Sequence, residues 1–233
     1  MGMLMLVSAG QSVPADSARD TVVLVHGMGR TKRSMNALAT HLIQQGFRVI
    51  NFGYPSTRQS VETSTEQLRE ALQRDPGCGS GKIHFVTHSL GGIVVRALLK
   101  EQRPDNLGRV VMLSPPNQGS EVADRLRNNV FYKWATGLAG QQLGTEPHSV
   151  PNQLGGVDFP VGVITGSRSL NPLFSMWIEG PSDGKVGVAR ARVVGMSDFL
   201  VVPRSHTYIM RSRGVIEQVA QFLREGRFEH LPA

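Results

Sequence analysis

The amino-acid sequence predicts an α/β fold: a mostly parallel sheet of about six strands with helices on both faces. Two observations carry this. Compact β-branched runs such as TVVLV, KIHFV and FPVGVITG alternate with segments whose apolar residues recur at helical spacing, and the alternation never breaks along the chain. The 233 residues, 40% of them hydrophobic, suffice for one substantial core, with no internal repeat, low-complexity stretch or interdomain linker.

TVVLVH (21–26) is the first strand, and the Gly-rich turn HGMGR follows it. Met35, Leu38, Ala39, Leu42 and Ile43 then recur at i, i+3, i+4, i+7, i+8, an amphipathic helix that Gly46 ends. FRVINFGYP reads as the second strand, closing a βαβ unit. TSTEQLREALQRD opens with Thr63 and Glu66 spaced as a capping box and places Leu68 and Leu72 on one face. KIHFVTHS is the third strand, SLGGIVVRALLKEQ a helix, and RVVMLSPPN a fourth strand stopped by Pro115 and Pro116. Residues 119–145 lean towards helix less regularly. FPVGVITG (159–166) and FLVVPRS (199–205) are the fifth and sixth strands, and a helix over 215–225 stacks Val215, Val219, Phe222 and Leu223. The expected organisation is an extension over 1–20 and a single domain over 21–233.

Composition narrows the partners. The net charge is +7, but the basic residues are scattered. The densest group, Arg190, Arg192, Arg204, Arg211 and Arg213, alternates with apolar residues and reads as a solvated face, so no nucleic-acid site is expected. No apolar run approaches bilayer-spanning length, so no transmembrane segment is expected, while contact with a membrane surface stays open. The first 20 residues lack Lys or Arg before Arg19 and hence the basic start of a secretion signal. The lone Cys78 forms no intrachain disulfide. A cytoplasmic location is the expectation, with a remnant signal as the open alternative.

Ser-x-Gly occurs at Ser8, Ser89, Ser182 and Ser212, and GPSDG (180–184) has the full G-x-S-x-G pattern. A serine nucleophile of that type must sit on a sharp turn between a strand and a helix. GPSDG lacks a strand before it and a helix after it. Ser89, in THSLGG, lies directly after IHFV and directly before GIVVRALL, so local context selects Ser89. Thr87 stands where the pattern has glycine. Gly91 and Gly92 suit a helix that must cross close to the sheet.

With VLVHGMGR, THSLGG, PPNQGSEVAD, SDGKV and SHTYIM in that order across most of the chain, the sequence resembles the α/β-hydrolase family, and within it the bacterial serine lipases and esterases. The resemblance implies the chain order Ser, acid, His. Of the histidines after Ser89, His230 is near the end and His148 precedes the fifth strand, whereas His206 follows the sixth strand at the edge where ligands of open α/β sheets bind. Asp158 and Asp198 enter their strands from the other edge. Glu179 and Asp183 both follow the fifth strand, and the resemblance favours Asp183. GPSDG would then supply the acid and not the nucleophile.

The resemblance also implies an oxyanion hole from the Leu90 and Met28 N–H groups, with His26 bracing the loop of Met28. It places a short helical cap or lid within 120–158. Val130, Phe131, Trp134 and Leu138 there, and LNPLFSMWI (170–178), are expected to form the acyl-binding wall, with Phe131, Trp134, Phe174 and Trp177 touching substrate. The implied function is hydrolysis of carboxylic esters of short to medium chain, on a small-molecule or lipid substrate, through an acyl-enzyme on Ser89. No cofactor and no metal are required. An acyltransferase or thioesterase on the same residues, and a noncatalytic binding module of the same fold, are the alternatives.

Overall fold

The structure, a computed structural model, describes residues 19–79 and 81–230. The extension expected over 1–20 therefore lies outside the described residues except for Arg19 and Asp20. Six strands, β1 (Thr21–Val25), β2 (Arg48–Phe52), β3 (Ile83–His88), β4 (Leu107–Leu113), β5 (Val161–Gly166) and β6 (Asp198–Val202), form one parallel sheet in the order β2-β1-β3-β4-β5-β6.

Every residue of β1, β3 and β5 is buried, because strands inside a parallel sheet are covered on both faces. The edge strands β2 and β6 are mostly half-buried. Along β1, Val22 and Leu24 join one core layer with Leu38 and Leu42 of α1 (Asn36–Gln44) and Val219 and Phe222 of α9 (Arg213–Glu225). Val23 and Val25 join the other, with Leu68 of α2 (Val61–Arg74) and Ile93 and Val94 of α3 (Leu90–Glu101). The two-residue side-chain period of a strand sorts its residues between these layers.

The start of α2 differs from the expected capping box. Ser60 is the N-cap, its hydroxyl accepting from the Thr63 N–H at 3.2 Å, and Thr63 sits inside the first turn. Ser60 offers the same capping oxygen three residues earlier, and starting there buries Val61. Residues 120–158 hold α4 (Glu121–Leu126), α5 (Val130–Gln141) and α6 (Val150–Gln153). Two further short helices, α7 (Pro172–Ser175) and α8 (Val188–Ala191), follow β5. Among the described residues no helix is long and apolar enough to cross a membrane.

The chain passes from β1 to β2 on one side and returns to β3 on the other, so the loops after β1 and β3 part above their carboxyl ends. That is the topological switch point, where open α/β sheets leave a crevice.

Candidate active site

Ser89 stands at this crevice, between β3 and α3, with φ 51° and ψ −122°. A side chain rarely adopts that conformation, and the surroundings hold it there. The Ser89 N–H donates to the Leu113 carbonyl of β4 at 2.9 Å. The helix that starts immediately afterwards crosses very close to β1: a Cβ on Gly91 would lie 2.4 Å from the Val25 carbonyl oxygen. A Cβ on Gly92 would meet Thr87 Oγ1 at 3.3 Å, so the threonine in the motif's glycine position is accommodated by the missing side chain at 92.

The loop after β6 brings His206 to Ser89, with Nε2 3.0 Å from Oγ, and the loop after β5 brings Asp183 to His206, with Oδ2 2.8 Å from Nδ1. All three residues are buried. A carboxylate only accepts, so Nδ1 carries the proton, and the Nε2 lone pair is left to accept from the serine hydroxyl. Asp183 Oδ1 accepts from the Lys185 and Val186 N–H groups at 3.0 and 2.9 Å, and the His206 N–H donates to the Asp183 carbonyl at 3.1 Å. Burial alone would raise the Asp183 pKa. The facing His206 charge and hydrogen bond and the amide of Val186 outweigh it and hold the pKa below the ordinary carboxylate value.

The other acids considered from sequence lie elsewhere. Asp198 binds the Phe228 N–H and His230 at the opposite edge, Asp158 pairs with Arg103, and Glu179 is exposed. Ser182 is buried in the turn that carries Asp183, bridged to Gly187.

Met28 and Leu90 flank the serine, and among the described residues neither N–H has an acceptor. The loop of Met28 is held by His26, fully buried and stacked on Tyr54 at 4.5 Å. Its Nδ1–H donates to the Gly27 carbonyl at 2.9 Å, and the Tyr54 hydroxyl donates to the His26 carbonyl at 2.8 Å. Gly27 packs against the end of β3 and Ser89: a Cβ there would lie 2.7 Å from His88 Nδ1 and 3.0 Å from Ser89 Cβ.

Sequence reasoning missed His88. Buried beneath the site, it donates through Nε2 to the His206 carbonyl at 3.0 Å, and its ring lies 4.9 Å from that of His206. Burial, then the His206 charge, pushes its pKa well below the ordinary histidine value, so it stays neutral.

A cavity of about 240 Å³ opens over Ser89 and His206. Val122, Leu126, Tyr132, Leu143, Phe174 and Val186 make most of its apolar lining. The expectation for α5 is corrected here. Phe131 and Trp134 are 82% and 84% exposed and face away from the cavity, while Tyr132 and Thr136 of the same helix line it. The apolar row Val130, Phe131, Trp134 and Leu138 is the outer face, since α5 turns Ala139 and Tyr132 inward. Phe174 lines the cavity, and Trp177, expected beside it, does not line it but stacks on Phe174 at 5.3 Å. Arg30 and Lys185, neither of them expected from the sequence, also line the cavity. A larger, open hollow of about 710 Å³ lies where β3 and β4 begin, lined by Arg69, Asp75, Cys78 and Arg103 among others.

The architecture is the α/β-hydrolase fold, and solved lipases share it. The mature form of the Bacillus licheniformis lipase BlEst2 superposes with a TM-score of 0.73 at 19% identity over 92% of this chain and 96% of that one. Phospholipase PlaB from Legionella pneumophila gives 0.73 at 18% identity over 89% of this chain and 60% of its own length, and a monoacylglycerol lipase from Paleococcus ferrophilus gives 0.59 at 18% over 88% and 94%. By sequence the chain belongs to the family described as a domain of unknown function, DUF7379, whose model matches residues 6–167. No curated protein matches it.

Proposed function

We propose that this protein is a serine hydrolase of carboxylic esters. The observation that carries the reading is the continuous hydrogen-bonded line from Asp183 through His206 to Ser89, at 2.8 and 3.0 Å, beside two amides free to donate. His206 takes the Ser89 proton as Oγ attacks the ester carbonyl, and the Met28 and Leu90 N–H groups hold the developing oxyanion. The acyl–oxygen bond breaks, and the alcohol leaves with the proton returned by His206. Water, deprotonated by the same base, then releases the acid and restores Ser89. Asp183 keeps His206 in the productive tautomer and stabilises its imidazolium.

A cavity of about 240 Å³ is smaller than the roughly 300–1,000 Å³ that encloses a whole small ligand, which supports short to medium acyl chains. The lipases that share the fold support the same class of chemistry. The exposed apolar row of α5 supports a lipid as well as a small-molecule ester as substrate.

The test is intact-mass spectrometry after fluorophosphonate treatment of the wild type, Ser89→Ala and Ser182→Ala. A single adduct lost only in Ser89→Ala is expected. An adduct that survives in Ser89→Ala and vanishes in Ser182→Ala would overturn the assignment.

A further inference from the structure

Arg30 and Lys185 reach the cavity from two different loops. Arg30 lies two residues beyond Met28, half-buried, and Lys185 two residues beyond Asp183, exposed at the mouth. Many of the chain's arginines have carboxylate partners, as in Arg48–Asp75, Arg69–Glu101, Arg103–Asp158, Arg127–Glu146 and Arg190–Glu121. Among the described residues neither Arg30 nor Lys185 has an ion pair or a side-chain hydrogen bond.

Among the described residues no Asp or Glu lines the cavity. The nearby carboxylate, Asp183, has its oxygens occupied by His206 and by the amides of Lys185 and Val186. The two cations feel each other. Although Lys185 is open to solvent at the mouth, crowding by the walls and then the Arg30 charge lower its pKa, against the pull of Asp183. Both charges also act on His88 beneath the nucleophile. Two unneutralised cations beside a nucleophile are a site short of an anion.

The cavity's size says which part of a substrate brings it. The enclosed, apolar part suits the acyl chain, so the alcohol portion projects to the mouth, where the cations stand. We propose that the ester this site accepts is anionic, with a phosphate or carboxylate on its alcohol portion held between Arg30 and Lys185 and its acyl chain against Val122, Leu126, Leu143 and Val186. The Arg fork and the Lys point charge suit the several oxygens of such a group. A bound anion also offsets the cations as His206 becomes an imidazolium, so it favours the chemical step as well as binding. The inference rests on the ester-hydrolase reading.

The experiment compares kcat/KM for the butyryl ester of glycerol phosphate with that for the butyryl ester of glycerol, in the wild type and in Arg30→Gln/Lys185→Gln. A preference for the phosphate ester of at least about tenfold is expected at low salt. It should shrink as salt rises and fall toward one in the double variant. Equal rates on the two esters, or a preference unchanged in the double variant, overturn the inference.

Binding of hexyl phosphate and of hexanol to Ser89→Ala, by calorimetry, separates the two claims. Tighter binding of hexyl phosphate, lost when both cations are replaced, supports the anion site. Its absence overturns the anion site even if neutral esters are hydrolysed. Hexyl phosphate binding together with no fluorophosphonate adduct in the wild type would overturn the hydrolase reading and leave the anion site standing.

Discussion

Replacing Gly91 by alanine tests whether the crossing of α3 over β1 is what positions Ser89. The added Cβ would sit 2.4 Å from the Val25 carbonyl oxygen and 2.9 Å from that of His26, against 3.4 Å or more for ordinary contact, so helix and strand must part by about 1 Å. The obstacle is backbone, which cannot rotate aside. Overpacking of this kind costs about 3 kcal/mol at the upper end of its range, and alanine returns about 1 kcal/mol through its better helix propensity. The net loss is about 2 kcal/mol, a fall of about 1 M in the urea midpoint for a slope of about 2 kcal/mol/M. Because Ser89 caps the same helix, a shift of about 1 Å should also lower kcat/KM about a hundredfold. Urea unfolding and the rate of fluorophosphonate labelling read the two effects. Gly214, exposed in the first turn of α9 with nothing within 4 Å of an added Cβ, is the control, and its alanine variant should gain up to about 1 kcal/mol. If Gly91→Ala matches the wild type in both assays, the close approach does not govern the elbow.

Asp183→Asn keeps the acceptor for the Lys185 and Val186 amides but turns an N–H toward His206 Nδ1, forcing the proton onto Nε2; kcat should fall by about four orders of magnitude with the fold retained. Because its folded pKa is depressed, Asp183 contributes stability that is present above the ordinary carboxylate pKa and lost as pH falls through the folded value; the acid limb of a stability–pH curve should flatten in Asp183→Asn. His26, His84 and His88 all have pKa values below 6.5, chiefly through burial, so the unfolded chain binds protons that the native state refuses. Stability should fall as pH drops below 6.5, by up to about 1.4 kcal/mol per pH unit for each histidine, and His88→Gln should lower that slope. Arg96 is buried in α3, its pKa lowered by burial to about 10, and it donates to the carbonyls of Asn117, Pro151 and Gly155 without a carboxylate partner. Arg96→Ala should cost at least about 3 kcal/mol in thermal or urea unfolding, because three carbonyls lose a charged donor.

The strands and helices were legible because their signals are local. A buried parallel strand reads as an apolar run and a helix as a stripe, and each element falls close to its expected place. The strained turn at Ser89 was legible for the same reason, since the strand, turn and helix that make it are contiguous in the chain. The cap of α2 was misplaced because two hydroxyl residues three apart offer the same bond, and only the burial of Val61 separates them.

The choice between Glu179 and Asp183 was not local. They are four residues apart on one loop, and the tight turn that buries one within 2.8 Å of His206 leaves the other in solvent. The orientation of α5 was not local either. Its larger apolar stripe reads as a wall for substrate, yet the helix docks through Tyr132 and Ala139 and turns Phe131 and Trp134 outward. Arg30 and Lys185 carry no pattern in the chain, 155 positions apart, and become a pair only when loops from two strands meet over Ser89. The sequence by itself therefore determined the elements, their alternation and the strained turn, all of which depend on neighbours a few residues away. Tertiary structure alone decided which side chains face one another across the crevice, because that depends on the order of the strands and on how each loop packs above them.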